Sequence, residues 1–221
     1  MQFGPAKSPE RSLLWAALLF AVGAMLVIAY LTGGFAIFDQ QAFAWMALIR
    51  TEWLTSFMSA LTHLGGSEGL IPIGVLLVAL AIWKRTRMEA MFLLMALLGA
   101  EILNELAKLI FDRPRPADGN LIELPSSYSM PSGHAMISSA LYIMLAYQIK
   151  RNDKQAGASW IVAFLYVLVI GVSLSRVYLG VHYFSDIAVG AAFGLSWYFV
   201  TRYAYEKALL RWRTPIHGVP A

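Results

Sequence analysis

The sequence predicts an all-α integral membrane protein: a bundle of six transmembrane helices that forms a single domain over residues 1–221. Of the 221 residues, 59% are hydrophobic and only 14% are charged, whereas a soluble domain carries roughly 25% charged residues. Apolar stretches recur along the chain, and the length of most of them is close to that of a helix that crosses a bilayer, about 20 residues. The surplus of apolar side chains therefore has to lie in lipid.

The composition also restricts which ligands and partners the protein can have. The chain has no cysteine, which excludes disulfides and thiolate metal sites. The formal charge is +4, but Lys and Arg are scattered between apolar stretches, which favours an anionic membrane surface over nucleic acid. We expect the bilayer as a partner and no nucleic acid, while the oligomeric state stays open.

The six predicted spans are separated by glycines, prolines and charges. The first, 12–31, carries no charge and is followed by Gly33 and Gly34. It is longer than the apolar core of a signal peptide, which has about 7–15 residues, so we expect it to be retained. The other five spans are expected at 70–83, 88–111, 132–149, 158–174 and 182–205.

The segment 35–64 does not read as a span. Its apolar positions alternate with Asp39, Gln40, Gln41, Arg50 and Glu52. Such a pattern is typical of an amphipathic segment that lies at the membrane interface or packs against the bundle. The sequence leaves the path of residues 35–66 open.

Orientation follows from the positive charges. With the N-terminus in the cytoplasm, twelve of the 17 Lys and Arg residues lie on the inner side and five on the outer side, as the positive-inside rule requires. We therefore expect a multi-pass protein of the cytoplasmic membrane, with its active site on the periplasmic or extracellular face. The five outer cations are Arg50, Lys108, Arg113, Arg115 and Arg176.

Three polar motifs fall on this outer face, at the ends of predicted spans. They read K-x6-RP, PSGH and SR-x5-H-x3-D, and they begin at Lys108, Pro131 and Ser175. A Lys or Arg at the centre of a bilayer costs about 2.5–3.5 kcal/mol, so the cations of Lys108, Arg115 and Arg176 together indicate an anionic ligand. Prolines on both sides of Arg115 stiffen its backbone, and its planar guanidinium suits phosphate oxygens.

The second and third motifs carry two further features. Ser132 and Gly133 begin the fourth predicted helix, where the serine side chain and free backbone N–H groups form an anion site. Because glycine has no Cβ, a ligand can approach the backbone closely there. His182 and Asp186 are four residues apart and face the same way. A carboxylate there fixes the imidazole tautomer that leaves the other nitrogen free, so His182 is the predicted nucleophile.

These motifs resemble those of the type 2 phosphatidic acid phosphatase superfamily, whose three-part signature is occupied here without a departure. The resemblance implies that Lys108, Arg115, Ser132, Gly133 and Arg176 hold a phosphate. It also implies that His182 attacks phosphorus to form a phosphohistidine, that His134 protonates the leaving oxygen and then activates water, and that Asp186 orients His182. A Thr-His-Leu-Gly-Gly stretch near Thr62 is similar to bacterial phosphatidylglycerophosphate phosphatases of the B type.

The expected function is metal-independent and cofactor-free hydrolysis of the terminal phosphate of a membrane lipid. Phosphatidylglycerophosphate, phosphatidic acid and undecaprenyl diphosphate are the candidate substrates, since the motifs address phosphate and not the lipid tail. The alternatives are an anion-binding membrane transporter and a non-catalytic lipid-binding protein. A transporter is expected to have interrupted helices at corresponding positions of two related halves, and the sequence has no such symmetry. A non-catalytic relative is expected to have lost a motif residue, and no motif residue is missing here.

Three polar residues beside the motifs receive other expectations. Arg113 is predicted to be a solvated loop charge, with a secondary phosphate contact as the less favoured alternative. Ser175 either caps and orients its neighbours or binds the ligand. Glu105 lies three residues before Lys108, at a spacing that allows the two to pair and so to hold the lysine stem.

Overall fold

A computed structural model describes residues 9–84, 86–152 and 158–213, and these ranges fold into eight α-helices. The all-α prediction is confirmed. In chain order the helices are α1 Glu10–Leu31, α2 Ala36–Leu48, α3 Glu52–His63, α4 Ser67–Trp83, α5 Arg87–Phe111, α6 Gly133–Asn152, α7 Ala158–Tyr178 and α8 Phe184–Arg213.

Four of these helices are long and apolar enough to cross a membrane: α1, α5, α7 and α8. The other two predicted spans correspond to α4 and α6, which do not meet that standard. Among the side chains that the structure describes, the apolar stretch of α4 is Gly69–Leu80, and Pro72 lies inside the helix. Helix α6 packs against α5, α7 and α8. Because these neighbours shield it from lipid, it can carry polar side chains that are buried between helices, namely Ser138, Ser139 and Gln148.

The segment whose path the sequence left open forms α2 and α3, and both pack against the bundle. Helix α2 contacts α7 and α8, and α3 contacts α7 and α4. Thr51 caps α3 by accepting a hydrogen bond from the Leu54 amide at 3.3 Å. Arg50 donates to the carbonyl of Tyr178 at 2.9 Å, which ties the junction of α2 and α3 to the end of α7.

Close contact between α6 and α8 brings the second and third motifs together. A Cβ atom on Gly190 would lie 2.6 Å from the carbonyl oxygen of Ser132, and one on Gly194 would lie 2.2 Å from that of Met136. Glycine at both positions therefore lets the start of α8 rest directly on the first turns of α6.

The long connection from α5 to α6 is tied back to the bundle at two points. The Ser129 amide donates to the carbonyl of Arg113, and the Leu121 amide donates to the carbonyl of Leu179, both at 2.9 Å. The first bond closes the loop on itself, and the second attaches it to the turn between α7 and α8. All three motifs consequently lie at one end of the bundle.

Candidate active site

His182 lies at the centre of this end of the bundle, in the turn just before α8, with 1% of its surface exposed. Its Nδ1 atom is 3.4 Å from Oδ2 of Asp186, in the first turn of α8. The same Oδ2 accepts hydrogen bonds from the hydroxyl of Ser129 at 2.5 Å and from the amide of Tyr183 at 2.9 Å. The expected proximity of His182 and Asp186 is therefore present, with Ser129 as a further neighbour of both.

Arg115 contacts the other ring nitrogen of His182. Its Nη1 is 3.0 Å from Nε2. A guanidinium only donates hydrogen bonds, so Nε2 has to be the acceptor and the ring proton belongs on Nδ1, toward Asp186. Burial lowers the pKa of His182 to about 4, and the charges of Arg115 and Arg176 add to that lowering while Asp186 opposes it. At neutral pH the ring is thus uncharged, with its lone pair on Nε2.

The backbone of two loops holds Arg115 in this position. Its Nε donates to the carbonyl of Ser127 at 2.8 Å and its Nη1 to the carbonyl of Val181 at 2.9 Å. The Ser127 hydroxyl lies 3.2 Å from Nη2 of Arg115 and 3.3 Å from Nζ of Lys108. Lys108 also pairs with Glu105 at 2.7 Å, as the spacing predicted. One serine hydroxyl thus lies beside two of the cations.

Arg176 reaches the site from the last turn of α7, with 3% of its surface exposed. Its Nη1 donates to the hydroxyl of Thr62, at the end of α3, over 2.8 Å. Within the described ranges its Nε has no hydrogen-bond partner, and neither has the buried hydroxyl of Ser132. Buried polar groups are normally paired, so these two atoms are available to a bound ligand.

The PSGH motif lies at the start of α6 as expected. The Ser132 amide and Gly133 already contact other parts of the protein, however, which the sequence did not indicate. The amide of Ser132 donates to the carbonyl of Asp186 at 3.1 Å, so this N–H is not free for an anion. A Cβ on Gly133 would lie 3.0 Å from Oδ1 of Asn104, and Asn104 itself donates to the carbonyl of Pro131 at 3.1 Å. Glycine here accommodates α5 as well as any ligand.

His134 is half-buried on the first turn of α6, facing the turn between α3 and α4. A Cβ on Gly66 would lie 3.1 Å from its Nε2. Its imidazole interacts electrostatically with the other site residues, namely His182, Arg176, Lys108 and Arg115. The structure therefore brings residues of all three motifs close together at one end of the bundle.

The expectation that Arg113 is a solvated loop charge was wrong. Only 7% of its surface is exposed, and its guanidinium bridges Asp186 at 2.6 Å and Asp39 at 2.8 Å. The prediction failed because Asp39 lies in α2, far away in the sequence. For Ser175 the orienting alternative fits, since its hydroxyl donates to the carbonyl of Val172 within α7 at 2.7 Å.

Several other site neighbours were not identified from the sequence: Asp39, Asn104, Ser127 and Ser129. None belongs to a motif. Thr62 had one signal, the Thr-His-Leu-Gly-Gly stretch that contains it. Among the described residues, no three His, Cys, Asp or Glu side chains are grouped so as to hold a metal ion.

Comparisons with known proteins agree with this geometry. The family model of the PAP2 superfamily matches residues 89–209. The chain is 32% identical to phosphatidylglycerophosphatase B of Bacillus subtilis over 75% of this chain and 82% of that protein. It is 31% identical to an undecaprenyl-diphosphatase of Sulfolobus acidocaldarius over 72% of this chain and 74% of that protein.

A solved structure has the same fold. The crystal structure of a transmembrane PAP2 type phosphatidylglycerolphosphate phosphatase from Bacillus subtilis superposes with a TM-score of 0.80 and 28% identity, over 91% of this chain and 98% of that one. The match extends over nearly the whole of both chains. The protein therefore belongs to the PAP2 superfamily and is a multi-pass membrane lipid phosphatase of this metal-independent hydrolase family.

Proposed function

We propose that this protein removes the terminal phosphate of a membrane lipid through a phosphohistidine formed on His182. The observation that carries the proposal is the placement of that ring: Nε2 lies 3.0 Å from Nη1 of Arg115, which can only donate, and Nδ1 lies 3.4 Å from Oδ2 of Asp186, which can accept. A neutral imidazole held in one tautomer is the form that can attack phosphorus.

The reaction follows in two steps. In the first, Nε2 of His182 attacks phosphorus, the bond from phosphorus to the lipid oxygen breaks, and His134, which enters this step as the imidazolium, gives that oxygen a proton. In the second, His134 takes a proton from water, the water oxygen bonds to phosphorus, and the bond to Nε2 breaks with its electron pair returning to nitrogen. Asp186 orients His182 throughout.

The cations stabilise the charge on the phosphoryl oxygens, which is most of what such a transfer requires. Arg115 and Arg176 approach from the loop and from α7, and Lys108 from α5. The unpartnered Nε of Arg176 and hydroxyl of Ser132 supply two more donors, and Gly133 leaves room at the start of α6. Lys108, Arg115, Ser132, Gly133 and Arg176 thus form the proposed phosphate site.

The proposed substrates are phosphatidylglycerophosphate, phosphatidic acid and undecaprenyl diphosphate, which share a terminal phosphate. The relatives named above act on the first and on the last of these by name. A panel of the three lipids at equal concentration, assayed with the purified protein, ranks them by kcat/KM.

For the membrane arrangement we propose six spans, with α4 and α6 added to the four clear ones, the N-terminus in the cytoplasm and the site open to the outer face of the cytoplasmic membrane. Enclosure of α6 by its neighbours supports its inclusion. An impermeant thiol reagent should label a cysteine placed in the 117–128 loop of intact cells. Labelling only after lysis would overturn this topology.

The activity is tested by phosphate release from a short-chain lipid phosphate in detergent, with EDTA present. Wild type and a control variant, His63→Asn on an exposed side chain of α3, should turn over. His182→Asn should lose at least about a thousandfold in kcat, because removal of a nucleophile abolishes the covalent route. Equal turnover by wild type and His182→Asn would exclude the phosphohistidine.

A further inference from the structure

Arg113 occupies one of the six unspecified positions of the K-x6-RP motif, and its guanidinium is bound by several side chains near the site. Its Nη1 donates to Oδ1 of Asp186 at 2.6 Å and to the hydroxyl of Ser185 at 2.7 Å, and its Nη2 donates to Oδ2 of Asp39 at 2.8 Å. Arg113 therefore connects the carboxylate beside His182 to a second buried carboxylate.

Two aromatic rings lie against this guanidinium. Its central carbon is 4.4 Å from the ring centre of Tyr30 and 4.1 Å from that of Tyr183. Cation–π contact is favourable over each ring, and the hydrogen bonds define the rotation in the plane. Arg113 is consequently restricted to one orientation.

Asp39 performs the same task for Arg113 from α2. It is 2% exposed, and besides Arg113 it accepts hydrogen bonds from the amide of Ser185 at 2.9 Å and from its hydroxyl at 2.6 Å. An aspartate that accepts an amide in the first turn of a helix acts as an N-terminal cap. Here the cap comes from a different helix, so Asp39 binds Arg113 and α8 as one unit.

These contacts fix the orientation of the Asp186 carboxylate, because its two oxygens have different partners. Oδ1 is taken by Arg113, while Oδ2 faces Nδ1 of His182 and accepts from Ser129 and Tyr183. Without Arg113 the carboxylate would be free to turn about its last bond. A buried set of ion pairs adds little net stability, because desolvation offsets the attraction, whereas orientation is a direct product of this geometry.

We propose that Arg113 and Asp39 are positioning residues of the phosphatase: Arg113, aligned by Asp39, holds the carboxylate of Asp186 so that Oδ2 keeps His182 in its attacking tautomer. This inference rests on the proposed function, since it assigns the residues a task in the attack by His182. It makes no demand on the lipid that is hydrolysed.

The test compares Asp39→Asn, which keeps the size of the side chain, Arg113→Gln, which removes the cation and shortens the side chain, and the double variant. Each single variant should lower kcat on a short-chain lipid phosphate about tenfold to hundredfold, the range for loss of a hydrogen bond to a charged group, with KM changed less than about twofold. The control is Glu206→Gln, which removes a buried carboxylate paired with Arg202 farther along α8. It should leave kcat unchanged.

The titration of His182, followed by NMR of isotope-labelled histidine and assigned with His182→Asn, separates positioning from general damage. The charged and titratable groups that face this ring are Asp186 of α8, Arg115 of the loop, Arg176 of α7 and His134 of α6. Removing the cation in Arg113→Gln should raise the pKa of His182, and removing the anion in Asp39→Asn should lower it. The double variant should titrate like wild type.

Shifts of the two single variants in the same direction, or an unshifted titration in both, would overturn the proposal. So would wild-type kcat in Arg113→Gln. If Arg113→Gln does not fold, Arg113→Lys keeps the charge and should lower kcat while leaving the titration in place. If wild type itself releases no phosphate, the proposed function fails, while the opposite titration shifts still test the contact of Arg113 with Asp186.

Discussion

Arg115 and His182 share a hydrogen bond of 3.0 Å between Nη1 and Nε2. The nitrogen that we propose as the attacking atom is therefore covered by a guanidinium in the structure. A phosphate oxygen is a better acceptor for a guanidinium than a neutral imidazole is, because the bond is charge-assisted on both sides. Arrival of the phosphate should draw Arg115 onto its oxygens and leave the lone pair of His182 free to attack.

Replacement of Arg115 tests this exchange. Arg115→Lys keeps the charge but loses the planar set of donors, and we expect kcat/KM to fall about tenfold to hundredfold, the range for loss of a hydrogen bond to a charged group. Steady-state kinetics on a short-chain lipid phosphate measure the change. Arg151→Lys, at a partly buried arginine of α6, is the matched control, and an equal loss in both variants would contradict a specific role.

The turn between α3 and α4 offers a steric test of His134. Gly66 has an extended backbone with φ −89°, which alanine adopts freely, but its new methyl would lie 3.1 Å from Nε2 of His134. We expect Gly66→Ala to displace the imidazole and reduce phosphate release while the protein still folds. Gly171→Ala is the control, because its methyl meets only the flexible Leu61 side chain, at 3.0 Å. Full activity in Gly66→Ala would contradict the expectation that the His134 imidazole has to keep its present position for phosphate release.

Thr62 is expected to matter through Arg176. Thr62→Val removes the acceptor of the 2.8 Å hydrogen bond from Arg176 and should raise KM or lower kcat by up to about tenfold, as one lost buried hydrogen bond does. Thr62→Ser keeps the hydroxyl and loses only the methyl group, so it should have nearly wild-type activity. If packing of that methyl were what matters, Thr62→Ser would be impaired. Kinetics of the three proteins side by side decide between the two explanations.

The pKa of His182 also predicts how stability depends on pH. In the folded protein burial lowers this pKa to about 4, whereas an exposed histidine titrates near pH 6.5. Between these values the unfolded chain binds a proton that the folded protein does not, so the free energy of unfolding should fall as pH drops from about 6.5 to about 4. The contribution of His182 is complete above that window.

Melting temperatures of wild type and His182→Asn across pH 4–8 measure this effect. The slope in the acid window should be shallower in the variant, which has no imidazole to protonate at this position. Identical slopes in the two proteins would show that His182 does not carry a lowered pKa.

Patterns within short stretches of the sequence were sufficient to predict most of the long helices and one of the ion pairs. The apolar stretches predicted α1, α5, α7 and α8, because hydropathy over about 20 residues decides whether a helix can enter lipid. The pairing of Glu105 with Lys108 followed from helical spacing alone. Hydropathy served less well for α6, whose polar side chains are covered by other helices, and for α4, whose apolar stretch is short.

Contacts between distant segments were beyond such patterns. Arg113 looked like a loop charge because its partner Asp39 is 74 residues away and belongs to a segment without a motif. Thr62 and Arg176 are 114 residues apart. No periodicity connects such pairs.

The amino-acid sequence by itself determined the class of protein, the residues of the three motifs and the chemistry that those residue types can perform, since composition and spacing are properties of the chain. Only the tertiary structure decided which nitrogen of His182 bears the lone pair, which cation covers it and which second carboxylate aligns the first. These depend on directions and distances between side chains of different helices, and such distances are set only when the helices pack.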